Sequence, residues 1–232
     1  MLTVSNLSSN YGSIRAVRHV HLQVHEGSLT VLIGANGSGK STTMRTIAGY
    51  KRSAGGTVVF DGFDISRWPP YRIVREGLAF LPERPMSVVA PLTIEENLLL
   101  GGYAKRGSIS ETLGQCYELF PLLAERRRQH AGSLSGGEQQ MLAISRILMT
   151  RPKLMLVDSP AIGLAPSVTD QVYEALIRLN REGLTILLIE QNAVMALAIS
   201  DYAYLLNRGE NTLEGSSVDM QNSQEVVDTY LA

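Results

Sequence analysis

Nine consecutive residues, Gly34-Ala35-Asn36-Gly37-Ser38-Gly39-Lys40-Ser41-Thr42, restrict this chain more than any other stretch. They follow the apolar run Leu29-Thr30-Val31-Leu32-Ile33 and precede a helix-like segment, so the spacing G-x-x-x-x-G-K-S/T falls where a strand turns into a helix. Glycines at 34, 37 and 39 let the backbone take positive φ values and point successive N–H groups inward. The helix that follows adds partial positive charge at its N-terminus. Such a loop takes phosphate oxygens. In this pattern Lys40 is expected at the β- and γ-phosphates, Ser41 on Mg²⁺ and Thr42 beside the α-phosphate, with Asn36 and Ser38 completing the cradle. A plain Gly-rich turn explains the glycines but not the Lys-Ser-Thr that ends them. The expectation is a nucleoside triphosphate with Mg²⁺ on an α/β scaffold.

The rest of the composition is permissive. A chain of 232 residues forms one large domain or two small lobes and can bury roughly 70–75% of its unfolded surface, so it needs no disulfide. Its lone cysteine, Cys116, lies in a helix-like stretch with Leu113, Tyr117 and Phe120, which excludes a disulfide framework and fits a reducing compartment. The net charge of −1 offers no general field for nucleic acid. No apolar run is long enough to cross a bilayer. Met1 leads into Leu2-Thr3-Val4 with no basic and apolar leader, so no secretory signal and a cytoplasmic site are expected.

Period-two runs at Leu2–Leu7 and His19–Val24, then Leu29–Ile33, predict an antiparallel edge sheet feeding the phosphate-loop strand. Helix is expected over Lys40–Ala48 with Gly49 as its stop, a hairpin strand over Gly56–Phe60 turning at Asp61-Gly62, helix from Pro69 to Glu76 and strand over Leu78–Leu81. From Thr93 to about Thr150 only helical spacing remains. Alternation then resumes with strand Leu154–Val157, helix Ser167–Asn180, strand Thr185–Ile189, helix Asn192–Ile199 and strand Tyr202–Leu206, and a helix over Ser223–Leu231 is expected to close the chain. His19, His21 and His25 lack a partner cysteine or acid set for a metal site.

A second corner carries anion chemistry. Leu134-Ser135-Gly136-Gly137-Glu138 opens a helix about a hundred residues beyond the phosphate loop, and Ser135 with two glycines at a helix N-terminus presents N–H groups and a hydroxyl to phosphate. This pentapeptide, together with the phosphate loop, resembles the signature of ATP-binding-cassette (ABC) ATPases, and the resemblance spans essentially the whole chain. It implies a P-loop NTPase fold: an α/β, RecA-like core with an antiparallel β edge sheet (1–92 and 152–232) plus a helical signature subdomain (93–151). It also implies that Ser135, Gly136, Gly137 and Glu138 serve the γ-phosphate bound to a second cassette, so that two chains sandwich two nucleotides. The guanine reader of GTPases is absent, and a P-loop kinase does not explain the signature.

The same resemblance assigns the remaining positions. Leu154-Met155-Leu156-Val157-Asp158 matches the strand whose terminal aspartate holds Mg²⁺, and Tyr11 falls where an aromatic ring stacks on adenine. Glu83 stands at a position usually glutamine, in the loop that senses Mg²⁺ and the membrane partner. Gln191 stands at a position usually histidine, where it can hydrogen-bond a γ-phosphate without carrying charge. Ser159 stands where the family places the glutamate that polarises the attacking water. A serine hydroxyl keeps its proton at neutral pH, and a placed general base is worth about 10²–10⁴-fold, so either this chain's own site is slow or another group replaces the base. The segments around Glu83, Leu92–Leu98, Glu138–Ile144, Gly163–Pro166 and Glu190–Ala193 are similar to the second ATPase of bacterial branched-chain amino-acid uptake systems, with urea and short-amide relatives nearby; Ser159 and Ala161 depart from that subgroup. The implied partners are a second ATPase subunit, identical or not, two transmembrane permease subunits and, indirectly, a solute-binding protein. The implied location is the cytoplasmic face of the membrane. A different class, an ATP-gated dimerisation module that hardly hydrolyses, fits Ser159 as well.

Overall fold

The computed structural model describes residues 1–83, 88–103, 109–223 and 226. A small antiparallel sheet contains β1 (Leu2–Tyr11), β2 (Ile14–Val24), β4 (Gly55–Phe60) and β5 (Phe63–Asp64), in the order β2-β1-β4-β5. A larger sheet contains β3 (Leu29–Ile33), β6 (Leu78–Leu81), β7 (Leu154–Asp158), β8 (Thr185–Glu190), β9 (Tyr202–Asn207) and β10 (Glu210–Ser216), in the order β10-β9-β3-β8-β7-β6. Every pairing in the larger sheet is parallel except β9 with β10. The helices are α1 (Lys40–Ile47), α2 (Pro70–Glu76), α3 (Ile94–Gly102), α4 (Ile109–Leu119), α5 (Pro121–Glu125), α6 (Gly136–Leu148), α7 (Pro166–Arg181), α8 (Ala193–Ile199) and α9 (Ser217–Gln221).

Strands β3, β7 and β8 are buried at every position, which is why they read as unbroken apolar runs and not as alternation: parallel strands are covered on both faces. Alternate residues feed two cores. Val31, Ile33, Val157 and Leu188 join α7 and the helical region through Leu176, Leu142 and Ile144. Leu32, Leu156, Leu187 and Ile189 face Met44 and Ile47 of α1, and beyond them Leu7, Val20 and Phe60 of the small sheet. The sheet is thus clamped between α1 with its antiparallel cover on one side and α7 on the other. Helices α3 to α6 lie between β6 and β7, and α3 approaches α6 so closely that a Cβ at Gly101 would stand 2.2 Å from the Arg146 carbonyl oxygen. Cys116 is buried in this helical region, and burial pushes its thiol up to about 12, where it stays protonated and unreactive. Among the described residues no helix is long and apolar enough to cross a membrane.

Several boundaries differ from the sequence reading. Strands β1 and β2 run on to Tyr11 and start at Ile14, because register shifts between Val4 and Asn10 break the alternation and hide the polar outer part of the hairpin. Strand β10 and helix α9 are additions. The Glu210–Ser216 stretch has one leucine in seven residues, so its strand comes from backbone pairing with β9 and not from an apolar pattern. Apart from Ser223 and Val226, the expected closing helix over Ser223–Leu231 lies outside the described residues, as does Arg84 beside Glu83.

Candidate functional site

The loop between β3 and α1 turns as its glycines allow. Gly34, Gly37 and Gly39 all have positive φ, and two of them are also hemmed in: a Cβ at Gly34 would meet the Leu206 carbonyl oxygen at 2.3 Å, and one at Gly39 the Ala16 carbonyl oxygen at 2.5 Å. Gly39 is the N-cap of α1, and no side chain caps that helix. No side chain therefore takes its first-turn N–H groups, the disposition a phosphate site requires. Asn36 and Gly37 are exposed, Ser38 is buried, and Ser41 and Thr42 are half-buried. The Lys40 ammonium bends over the loop and donates to the carbonyls of Gly34 (2.7 Å) and Ala35 (2.9 Å). Burial holds its pKa below the ordinary lysine value, with Asp158 and Glu190 pulling the other way.

Asp158 ends β7 opposite this lysine. Ser41 Oγ donates to its Oδ1 at 3.0 Å, while its Oδ2 is buried without a hydrogen-bond partner. Burial raises the Asp158 pKa, Ser41 lowers it, and the nearby Glu83 carboxylate raises it further. An orphaned carboxylate oxygen beside a hydroxyl is an all-oxygen pair that suits a hard divalent cation such as Mg²⁺, with the Glu83 carboxylate within electrostatic reach. The residues called for by the sequence, Ser41, Asp158 and Glu83, are thus gathered at one end of the large sheet.

Ser159 follows at φ +44°, a left-handed conformation that turns the chain out of β7. It is buried, and its N–H donates to the Ile189 carbonyl at 3.0 Å. Gln191, at the exit of β8, is exposed. Tyr11 is half exposed, and the Lys51 ammonium lies 3.5 Å from its ring centroid in a cation–π contact.

The signature corner stands apart. Ser135 is the N-cap of α6 in a closed capping box: its Oγ accepts from the Glu138 N–H at 3.4 Å and its own N–H donates to Glu138 Oε2 at 2.8 Å. Arg126 donates to Glu138 Oε1 at 3.0 Å, which pins the box. Ser135 and Gly136 are exposed, whereas Gly137 is buried against Val168 of α7. Among the described residues, no hydrogen bond of Ser135 or Glu138 reaches the phosphate loop; both serve α6 and Arg126.

Two residues escaped the sequence reading. Lys51 carries no local signal that would pair it with Tyr11. Glu190 does: a carboxylate ending the otherwise apolar run Thr185–Ile189, 7% exposed, accepting hydrogen bonds from the Tyr173 hydroxyl and from the Gln191 N–H (3.0 Å). A charge closing a buried strand is a sign of a built site.

Known proteins show the family of the chain. Residues 17–162 match the family model described as ABC transporter. The chain is 41% identical over 232 residues to the high-affinity branched-chain amino acid transport ATP-binding protein BraG of Pseudomonas aeruginosa, covering 100% of this chain and 99% of that one. It is 31% identical over 249 residues to BraF of the same organism, a protein of the same description, at 100% and 97% coverage. Among solved structures it is similar to an ATP-binding cassette of an ABC transporter in its ADP conformation, with a TM-score of 0.87, 28% identity and coverage of 100% and 98%. It is also similar to a dimeric bacterial ABC transporter cassette, with a TM-score of 0.83, 25% identity and coverage of 94% and 99%.

Proposed function

Because this chain belongs to the ABC transporter family of ATPases, we propose that it is the ATP-binding subunit of an importer for branched-chain or other small amino acids, with urea or short amides as the neighbouring solute class. The observation that carries the reading is the separation of two anion-binding corners. The loop at Gly34–Thr42 and the corner at Ser135–Glu138 sit on different parts of one chain, with no hydrogen bond between them among the described residues. Each fits a nucleotide whose other side is held by a second cassette. A second ATPase subunit supplies that opposing corner, and the relatives support a non-identical pair: BraG and BraF are two ATP-binding proteins of one organism, both similar to this chain.

In the ATP-bound dimer, Tyr11 stacks on the adenine, the loop N–H groups and Lys40 hold the phosphates, and Ser135 with Gly136 and Gly137 reaches the γ-phosphate of the partner's site. Ser41 and Asp158, with Glu83 nearby, would hold Mg²⁺, which would supply charge neutralisation of the phosphates. Closure is favoured only while a γ-phosphate touches both chains, so binding and release become a population shift that moves two permease subunits at the cytoplasmic face of the membrane, with a solute-binding protein acting through them. Ser159 supplies no base, so the site built on this chain's own loop is slow, while its signature corner completes the partner's site.

Reconstitution with the partner ATPase and the permease pair tests the assignment. Uptake of radiolabelled leucine that stops when Lys40 is replaced by alanine supports it; ATP-dependent uptake with no preference for leucine, isoleucine or valine over urea or acetamide moves the solute to the amide class. The Ser159→Glu variant tests the slow site: a rise of about 10²-fold in turnover of the isolated chain identifies position 159 as limiting. If turnover does not change and ATP still drives dimerisation, the chain is an ATP-gated module whose partner does the hydrolysis. Equal loss of ATPase activity from the Lys40→Ala variant and from the matching lysine variant of the partner counts against asymmetry.

A further inference from the structure

Glu190 opens the Glu190–Ala193 segment but was given no role of its own, and it lies at the end of the large sheet that carries the phosphate loop. Strand β8 lies between β3 and β7, and in register Glu190 pairs with Ile33, the last residue before the phosphate loop, while Ile189 pairs with Asp158. Its carboxylate is nearly closed off from solvent, and so is Tyr173 (5% exposed), which reaches it from α7. A carboxylate in such a place needs donors, and it has them from two elements: the Tyr173 hydroxyl on Oε1 and the Gln191 N–H on Oε2. One residue further on, Asn192 accepts from the Met195 N–H at 3.2 Å and caps α8. The backbone of Gln191 is therefore held on both sides while its side chain stands exposed. Tyr173 in turn sits on the helix that begins where the Ser159–Ala165 segment ends, and Val168 of that helix packs on Gly137 of the signature corner. An apolar pair would fill this part of the core without desolvating a charge, so the polar pair points to direction and not to volume.

We propose that Glu190 and Tyr173 form a positioning pair for Gln191, tying the exit of β8 to α7 so that the glutamine side chain meets the γ-phosphate from a fixed backbone. The proposal rests on the reading of Gln191 as a γ-phosphate contact. It assigns Glu190 no contact with nucleotide; the residue acts through Gln191.

The test is the preference of the full chain for ATP over ADP, measured by calorimetric titration with Mg²⁺, which requires no turnover. Gln191→Ala is expected to lower that preference. Glu190→Gln and Tyr173→Phe are expected to lower it about three- to tenfold with ADP affinity within twofold of the parent, and to lower it no more than twofold further in the Gln191→Ala background, because residues in one chain of contacts are not additive. Full additivity with Gln191→Ala, or an unchanged preference in Glu190→Gln and Tyr173→Phe, overturns the positioning pair. An unchanged preference in Gln191→Ala itself overturns the reading on which the pair rests, and the pair with it. A proportional loss of ADP and ATP binding marks a general packing defect and also overturns it. Tyr173→Phe removes a single oxygen, so it carries the test if Glu190→Gln does not fold.

Discussion

The turn into α1 and the turn into α6 both join an irregular segment to a helix N-terminus, and both are proposed to face phosphate, but they dispose of their donors in opposite ways. At α1 the N-cap is a left-handed glycine, no side chain caps the helix, and the nearest cation folds back on the loop carbonyls. At α6 a serine and a glutamate satisfy each other's backbone N–H groups, and Arg126 pins the glutamate. The first corner leaves its donors for a ligand within its own chain. The second has used two of them on itself and leaves an exposed serine and glycine. On the proposed function, a dimer that closes only on ATP would use that asymmetry, because the two corners differ in which groups are already satisfied.

The glycines give the largest contrast. Gly39→Ala places a Cβ at φ +102° and 2.5 Å from the Ala16 carbonyl oxygen, so a loss of about 2–4 kcal/mol of stability is expected. Gly136→Ala meets nothing within 4 Å and is expected to be neutral or slightly stabilising. Urea unfolding of both variants checks this, and equal losses would break the contrast. Next, Lys40→Ala is expected to weaken ATP binding by about 10²-fold, since hydrogen bonds from a charged group contribute about 1.5–3 kcal/mol each. Titration of a fluorescent ATP analogue measures it. Ser135→Ala opens the capping box and is expected to cost about 1 kcal/mol in thermal stability, leave ATP affinity of the single chain within twofold, and abolish ATP-driven dimerisation on a sizing column. A loss of ATP affinity in the monomer would show the two corners to be coupled within one chain. Smallest is Tyr11→Ala, expected to weaken ATP by about three- to tenfold, because a ring pair adds about 0.5–1.5 kcal/mol. Competition by GTP sharpens it, as a stacked ring discriminates little between purines.

The site was legible in the sequence wherever chemistry forces a spacing. Gly34 to Thr42 and Leu134 to Glu138 are short segments whose conformation lies in their own backbone, so their residues announce a glycine turn and a capped helix start without help from the fold. The apolar strands ending at Ile33 and Asp158 could be read for the same reason, because a strand buried on both faces tolerates little else. Strand β10 could not be read, since its pairing with β9 depends on backbone groups that every sequence carries. Nor could Lys51 on Tyr11 or Tyr173 on Glu190, whose partners lie far away along the chain and meet only when the layers pack.

By itself, then, the sequence determined the loop that takes phosphate, the serine corner, the aspartate that ends its strand and the serine standing where a base is expected, because each is a local arrangement of donors and acceptors. The tertiary structure decided which of these meet. It brings Ser41 against Asp158, leaves one Asp158 oxygen without a partner, ties Ser135 to Glu138 of its own helix and sets a buried carboxylate behind Gln191. Contacts of that kind arise from sheet order and helix packing, and no spacing along the chain encodes them.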